Sequence, residues 1–201
     1  MVLTECTSGT LDEDGGRAIG DGNVTLYINE GDGTFVERVP TVMSRFPNVL
    51  GRCPVSVDLA DINGDGHLDI IAANVGQPNR VFYNDGKGTF TKSTAFGGTQ
   101  APSYSVATAD LDQDGDTDIV IGNAGQKNVA YLNEDKGSRF RRVTFGETAS
   151  ATYCVELGDL NGDKYPDIVA GNSGTHNYVY LNVGKAAKVD VIVRRQDYPL
   201  N

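Results

Sequence analysis

An all-β fold assembled from repeated four-stranded units is what this sequence predicts, and three observations carry the prediction. Gly accounts for 25 of 201 residues and hydrophobic residues for 39%. With Asn, Asp, Thr and Val abundant beside them, this is the composition of short strands joined by tight turns, not of helices. Next, the segments 61–69 (DINGDGHLD), 110–118 (DLDQDGDTD) and 159–167 (DLNGDKYPD) start 49 residues apart. The register also holds beyond them: Asn74, Asn123 and Asn172 match, as do Gly76, Gly125 and Gly174, Asn79, Asn128 and Asn177, and Asn84, Asn133 and Asn182. Phe96-Gly97 and Phe145-Gly146 close the unit. A period near 50 is too long for most solenoids and suits a four-stranded propeller blade.

Alternation and turn residues place the strands within each unit. In the first, 2–6 reads as a second strand, 24–29 as a third and 34–39 as a fourth, because Asn29 takes the part of Asn84. The acidic, Gly-rich stretch 10–23 becomes an insertion, and the innermost strand is missing. The complete unit is clearest in the third copy. There 104–109 is the innermost strand, with Val106 and Thr108 alternating with the small Ser105, Ala107 and Ala109, which suit the crowded centre where innermost strands converge. Strands 118–122, 129–133 and 140–145 follow, and 189–193 completes the last copy. The expected domain is single, with blades at 1–45 (incomplete), 53–96, 102–146 and 151–195 and a tail at 196–201. Since a blade cannot bury both faces alone, neighbours stack on it. Three strands in the first blade and four in each of the others leave none over to close a ring. The expectation is an arc of a larger propeller, with association of arcs between chains and a closed ring of four blades as alternatives.

A formal charge of −10 disfavours nucleic acid and anionic membrane as partners and favours cations. No apolar run approaches the roughly 20 residues that span a bilayer, so direct insertion is not expected. Residues 1–10 lack the basic start and apolar stretch of a secretion signal, so any targeting segment is expected to have been removed or never to have existed. Cys6, Cys53 and Cys154 are too few for a disulfide framework. Three buried thiols, or one bridge and a free thiol, are the two readings.

In each repeated loop, positions 1, 3, 5 and 9 carry a carboxylate or amide oxygen. Spacing by two lets alternate side chains converge on one centre. The ligands expected are Asp61, Asn63, Asp65 and Asp69; Asp110, Asp112, Asp114 and Asp118; and Asp159, Asn161, Asp163 and Asp167. The carbonyls of His67, Asp116 and Tyr165 at position 7 complete each cage. Hard oxygen donors without thiolates favour Ca²⁺ over Mg²⁺, which demands a tighter octahedron. An EF-hand opens in the same way but needs Glu at position 12 and flanking helices, whereas position 12 here is Ala72, Ile121 or Ala170. Ordinary Asp/Asn/Gly hairpin chemistry is the bland alternative, and three occurrences in one register argue against it. Ten of the 27 acidic residues are ligand aspartates, which without a cation would repel one another. Lys164 replaces Gly66 and Gly115 at position 6 of the third loop, so that loop is expected to bind calcium most weakly. Asp12, Asp14 and Asp21 suggest a fourth site, but the 17 residues between Asp12 and Asn29 leave no room for the intervening strand, and a solvated insertion is favoured.

These loops, followed by Asn-x-Gly and by Phe-Gly near the blade end, resemble the FG-GAP and VCBS repeats of integrin α-subunit propellers, fungal propeller lectins and bacterial surface proteins, strongly over 53–182. The resemblance implies seven blades in a typical ring, calcium that braces the blade, and ligand binding by loops at blade junctions. It suits an extracellular, cell-surface or organelle-luminal setting. A protein or glycan ligand is expected, with the rest of a propeller or other subunits as further partners. Tyr104, Tyr153, Tyr178 and His176 are candidate glycan contacts, although packing explains tyrosines in strands and turns better. An enzyme is not expected. Asp58 and Glu156 occupy matching places on innermost strands, as paired acids of a glycosidase can, but solvated channel residues explain them better. A scaffold subunit of a larger complex is the remaining alternative, together with a non-catalytic part of a polysaccharide-acting enzyme.

Overall fold

The computed structural model describes residues 2–5, 23–38, 54–98, 102–184 and 193–196, and every regular element among them is a β-strand. β1 (Val2–Glu5), β2 (Asn23–Asn29) and β3 (Phe35–Arg38) make a three-stranded antiparallel sheet. This is blade 1, and the stretches 6–22 and 39–53 on either side of its last two strands lie outside the described residues. β4 (Pro54–Ala60), β5 (Asp69–Asn74), β6 (Asn79–Tyr83) and β7 (Lys92–Phe96) make the four-stranded blade 2. β8 (Ser103–Ala109), β9 (Asp118–Asn133), β10 (Phe140–Gly158), β11 (Asp167–Ser173), β12 (Tyr178–Asn182) and β13 (Val193–Gln196) are bonded neighbour to neighbour in one six-stranded sheet.

That sheet is two blades joined. β9 runs through its own Asn-x-Gly turn, so it carries both the second and third strands of blade 3. β10 pairs with β9 through 140–145 and with β11 through 151–158, serving first as the outer strand of blade 3 and then as the innermost strand of blade 4. The register shifts between Phe145 and Ala151 mark the passage from one blade to the next. Gly97 and Gly146, at matching places after the outer strands, share a left-handed backbone with φ of 80° and 84°. The outer strand of blade 4 pairs with β12. It lies at Val193–Gln196 among the described residues, with Asn182 opposite Val193 and Val179 opposite Gln196; of the expected 189–193, residues 189–192 lie outside the described residues. Alternating valines mark what can form a strand; cross-strand pairing decides which residues do.

The core consists of layers between blades. Ile71, Val81, Tyr83 and Phe96 of blade 2 meet Ile119, Ile121, Val129 and Tyr131 of blade 3. Val120, Ala130, Leu132 and Phe145 of blade 3 meet Ile168, Ala170 and Tyr180 of blade 4. Successive residues of one strand thus serve opposite layers, the period-2 rule applied to a sheet buried on both faces. Both layers carry the same edge-on ring pair, Phe96 with Tyr131 and Phe145 with Tyr180, each with centroids 5.1 Å apart. At roughly 1.5–3 kcal/mol for each buried large side chain, these layers are where the stability resides.

Candidate metal sites and blade junctions

Each acidic loop connects an innermost strand to the second strand of its blade: 61–69 lies between β4 and β5, 110–118 between β8 and β9, and 159–167 between β10 and β11. The first aspartate folds the loop around itself. Asp61 accepts the amides of Gly64 (2.7 Å), Asp65 (3.1 Å) and Gly66 (2.8 Å), and Asp159 accepts those of Gly162 (2.7 Å), Asp163 (3.2 Å) and Lys164 (2.8 Å). Asp110 accepts those of Asp114 (3.1 Å) and Gly115 (3.0 Å). The amide bonds, that of Lys164 foremost, hold the Asp159 carboxyl below its ordinary pKa. Position 9 anchors the loop. Asp69, Asp118 and Asp167 are buried, each accepting the position-2 amide with one oxygen and the amide of Asn84, Asn133 or Asn182 with the other.

Closure demands left-handed backbone at positions 4 and 6. The φ angles are 71° and 87° at Gly64 and Gly66, 56° and 93° at Gln113 and Gly115, and 81° and 74° at Gly162 and Lys164. Lys164 therefore sits at a positive φ, which costs a residue other than glycine about 1 kcal/mol. Gln113 pays a similar penalty that sequence reading did not identify, although Gly64 and Gly162 at the same position of the other two loops were the available signal.

Loop 110–118 gathers one carboxylate oxygen each from Asp110, Asp112 and Asp118 within 4.8 Å of one another. This donor set can hold a metal ion. Burial pushes the Asp118 carboxyl up to about 7, with the charges of Asp112 and Asp114 adding to it against the amides of Asn133 and Leu111. A cation there would relieve both causes. Burial likewise raises Asp69, aided by Asp65 and Asp61. In the other two loops position 3 is an amide engaged with position 5. Asn63 donates to Asp65 (2.8 Å) and accepts its N–H (3.0 Å), and Asn161 does the same with Asp163 (2.9 and 3.0 Å). At position 7, the N–H groups of His67, Asp116 and Tyr165 each donate 2.9 Å bonds to the position-5 carboxylate. Asp159, Asn161 and Asp163 are all exposed, unlike Asp110 and Asp112.

The repeated asparagines join one blade to the next. Asn133 Nδ2 donates to Ile62 O in the preceding blade's loop, and Asn182 Nδ2 to Leu111 O, both at 2.8 Å. Near the other end of the innermost strands, Asn79 donates to Ser103 Oγ (3.1 Å), which donates to Asn123 (3.1 Å). Asn128, Thr152 and Asn172 repeat that relay at 3.0 and 2.6 Å. Pro54 stands where Ser103 and Thr152 stand in the later blades, and it has no hydroxyl. Asn74, the counterpart of Asn123, is fully buried, and its Oδ1 accepts no hydrogen bond from the described residues.

The remaining candidates scatter. Tyr104 and Tyr153 pack edge to face with centroids 4.8 Å apart, Tyr153 half exposed. Tyr178 lies against Tyr180 at 6.0 Å. His176 is exposed, its carbonyl accepting Asn172 Nδ2 at 2.8 Å. Asp58 accepts Thr108 Oγ1 from the next blade at 2.7 Å, while Glu156 is exposed. Cys154 is a free, exposed thiol, which corrects the expectation of burial. Cys6, Cys53, Asp12, Asp14 and Asp21 lie outside the described residues. Sequence reading missed a cleft of about 520 Å³ between blades 2 and 3, lined by Ser103, Asn123, Gln126, Tyr131 and Arg142 among others. No helix among the described residues is long and apolar enough to cross a membrane.

A search of curated proteins finds no match. The family model for the FG-GAP-like repeat matches three overlapping stretches, 17–72, 61–121 and 110–170, each containing an acidic loop at one or both ends. With its repeats, loops and stacked antiparallel blades matched over most of its length, this chain belongs to the FG-GAP-like repeat family.

Proposed function

We propose that this protein is a calcium-stabilised propeller module that binds a protein or glycan through loops at its blade junctions, and that it is not an enzyme. The carboxylate triad of Asp110, Asp112 and Asp118 carries the reading: three hard oxygen donors within 4.8 Å, in a loop that occurs in three blades. Calcium suits such donors because it accepts carboxylate, amide and carbonyl oxygens in a flexible shell. The residues expected to hold it are those at positions 1, 3, 5 and 9, with the position-7 carbonyl completing each shell. The cleft between blades 2 and 3 is large enough for a sugar or a side chain, and the exposed Arg142 on its lining offers a cationic contact. The hydroxyl of Thr108 occupies Asp58, which speaks against Asp58 as one of a pair of acids free for catalysis. FG-GAP-like repeats usually occur in extracellular or luminal proteins, and we place this chain there.

Calorimetric titration of the chelated protein with Ca²⁺ tests the reading. Loop 110–118 is expected to bind tightest and loop 159–167 weakest. Mg²⁺ binding as well as Ca²⁺, or no heat at all, would sink the calcium assignment. Binding to a glycan array or a surface-protein panel, lost in chelator and restored by Ca²⁺, tests the recognition role. Turnover of a polysaccharide would refute the non-catalytic part.

A further inference from the structure

Loops 110–118 and 159–167 are bridged at both ends. At the buried end, Asn182 donates from Nδ2 to Leu111 O and from its backbone N–H to Asp167 Oδ1, both at 2.8 Å. Asn133 makes the matching bridge from Ile62 O (2.8 Å) to Asp118 Oδ1 (2.7 Å), so this link recurs between blades 2 and 3. The exposed end differs. Gln113 Nε2, at position 4 of the blade 3 loop, donates to Lys164 O at position 6 of the blade 4 loop (2.9 Å), across 51 positions of chain. Gly64 holds position 4 in blade 2 and has no side chain with which to reach loop 110–118.

Both ends of this outer bond lie on strained backbone. φ is 56° at Gln113 and 74° at Lys164, where glycine would carry no strain. In return, the Gln113 side chain makes a bond that glycine could not. The peptide it grips belongs to the centre of the neighbouring loop. Lys164 N–H donates to Asp159 Oδ2 (2.8 Å) and Tyr165 N–H to Asp163 Oδ1 (2.9 Å). The peptide group between Lys164 and Tyr165 is thus held by Asp163 on its N–H and by Gln113 on its carbonyl, one residue before the Tyr165 carbonyl expected to face an ion. Gln113 itself stands between Asp112 and Asp114, two expected ligands of its own loop. An ion that draws those carboxylates together fixes the backbone between them. A side chain on a fixed backbone gives up less entropy in making its bond.

We propose that Gln113 is a positioning residue for the metal loop of the next blade and couples the two loops, so that an ion in loop 110–118 tightens binding in loop 159–167. Coupling of binding energies is reciprocal, so the reverse holds as well. Loop 61–69 lacks the outer bridge. The inference rests on the reading of these loops as calcium sites. A single hydrogen bond between exposed groups sets the effect at about threefold in affinity.

Nitrogen–proton correlation spectra of the whole chain test it, the amides of Gly66, Gly115 and Gly162 each reporting one loop as Ca²⁺ is added back after chelation. Gln113→Gly removes the donor, and Gln113→Asn keeps an amide one methylene too short. Both are expected to weaken loop 159–167 about threefold and to leave loop 61–69 unchanged. Asp112→Ala, which takes a carboxylate out of loop 110–118, is expected to weaken loop 159–167 by a similar factor, and by nothing further when combined with Gln113→Gly. In chelator, the Tyr165 amide of both Gln113 variants is expected to exchange with solvent about twofold faster than in the wild type. This readout needs no ion, and the exposed Gln113 variants keep the test open should Asp112→Ala unfold. If Ca²⁺ shifts none of the three glycines, the calcium reading fails and the coupling with it. If Ca²⁺ binds but loop 159–167 is as tight in both Gln113 variants as in the wild type, or Asp112→Ala weakens it further on the Gln113→Gly background, the coupling alone is overturned. Unchanged Tyr165 exchange in chelator would overturn the positioning role.

Discussion

Blade 3 and blade 4 carry the same residues at most repeated positions and differ in their surroundings. Blade 3 is covered on both faces and blade 4 on one. Leucine at loop position 2 is sealed in the first and half in solvent in the second. The first two residues that form the carboxylate triad, Asp110 and Asp112, are part-buried or buried, while Asp159, Asn161 and Asp163 are exposed. What repeats every 49 residues is therefore half of an interface, and its energetic worth depends on the neighbour that supplies the other half.

Matched changes in the two blades sharpen this contrast, and the largest is expected from protonation. The folded pKa of Asp118, about 7, lies above the ordinary carboxylate value near 4. The folded state then holds its proton more tightly than the unfolded state, so in chelator stability falls as pH rises from about 4 through 7, by something on the order of 4 kcal/mol. The shift at exposed Asp159 is downward, and its stabilisation is present above the unfolded pKa and lost as pH falls through the lower folded value. Melting curves in chelator and in Ca²⁺ between pH 5 and 8 check this, and saturating Ca²⁺ is expected to flatten the Asp118 trend. Leu111→Ala is expected to cost about 3 kcal/mol by opening a cavity between blades, against less than about 0.5 for Leu160→Ala at an exposed site. Equal urea midpoints for the two would break the comparison.

Asn133→Ala strands Ile62 O, Thr117 O and Gly137 N. It is expected to cost about 2 kcal/mol, and Asn84→Ala, whose bonds are largely exposed, about half that. Lys164→Gly is expected to gain about 1 kcal/mol by removing left-handed strain and to tighten calcium binding in its loop, as titration calorimetry would show. The smallest effect is Pro54→Thr. Its hydroxyl can donate to Asn74 Oδ1, for a gain of about 0.5–1 kcal/mol that lost proline rigidity partly offsets. A melting temperature lowered by that change would show that the buried oxygen is satisfied by other means.

Much of this was legible in the chain because the acidic loops and asparagines recur in one register, and a repeat fixes strand order without three-dimensional information. The loop pattern, repeated three times, likewise named the triad residues before their convergence was known. The role of the asparagines was not legible. Asn133 reaches Ile62 across 71 positions and Asn79 reaches Ser103 across 24, separations that local pattern does not encode. The strain at Gln113 went unread although glycine stands at its position in the other two loops: a side-chain identity does not state a backbone angle. The extent of the last outer strand was not legible either, because only pairing with β12 shows that 193–196 belong to it.

The bond from Asn133 to Ile62 also gives the fold a direction in time. The position-2 carbonyls of the blade 2 and blade 3 loops are each held by an asparagine that the ribosome adds later, in the following blade. During synthesis the loop of blade 2 thus remains loosely held until blade 3 has emerged and stacked, and the loop of blade 3 waits in turn for Asn182. Metal capture is then expected to trail translation by about one blade, so that each ion records the arrival of the next repeat.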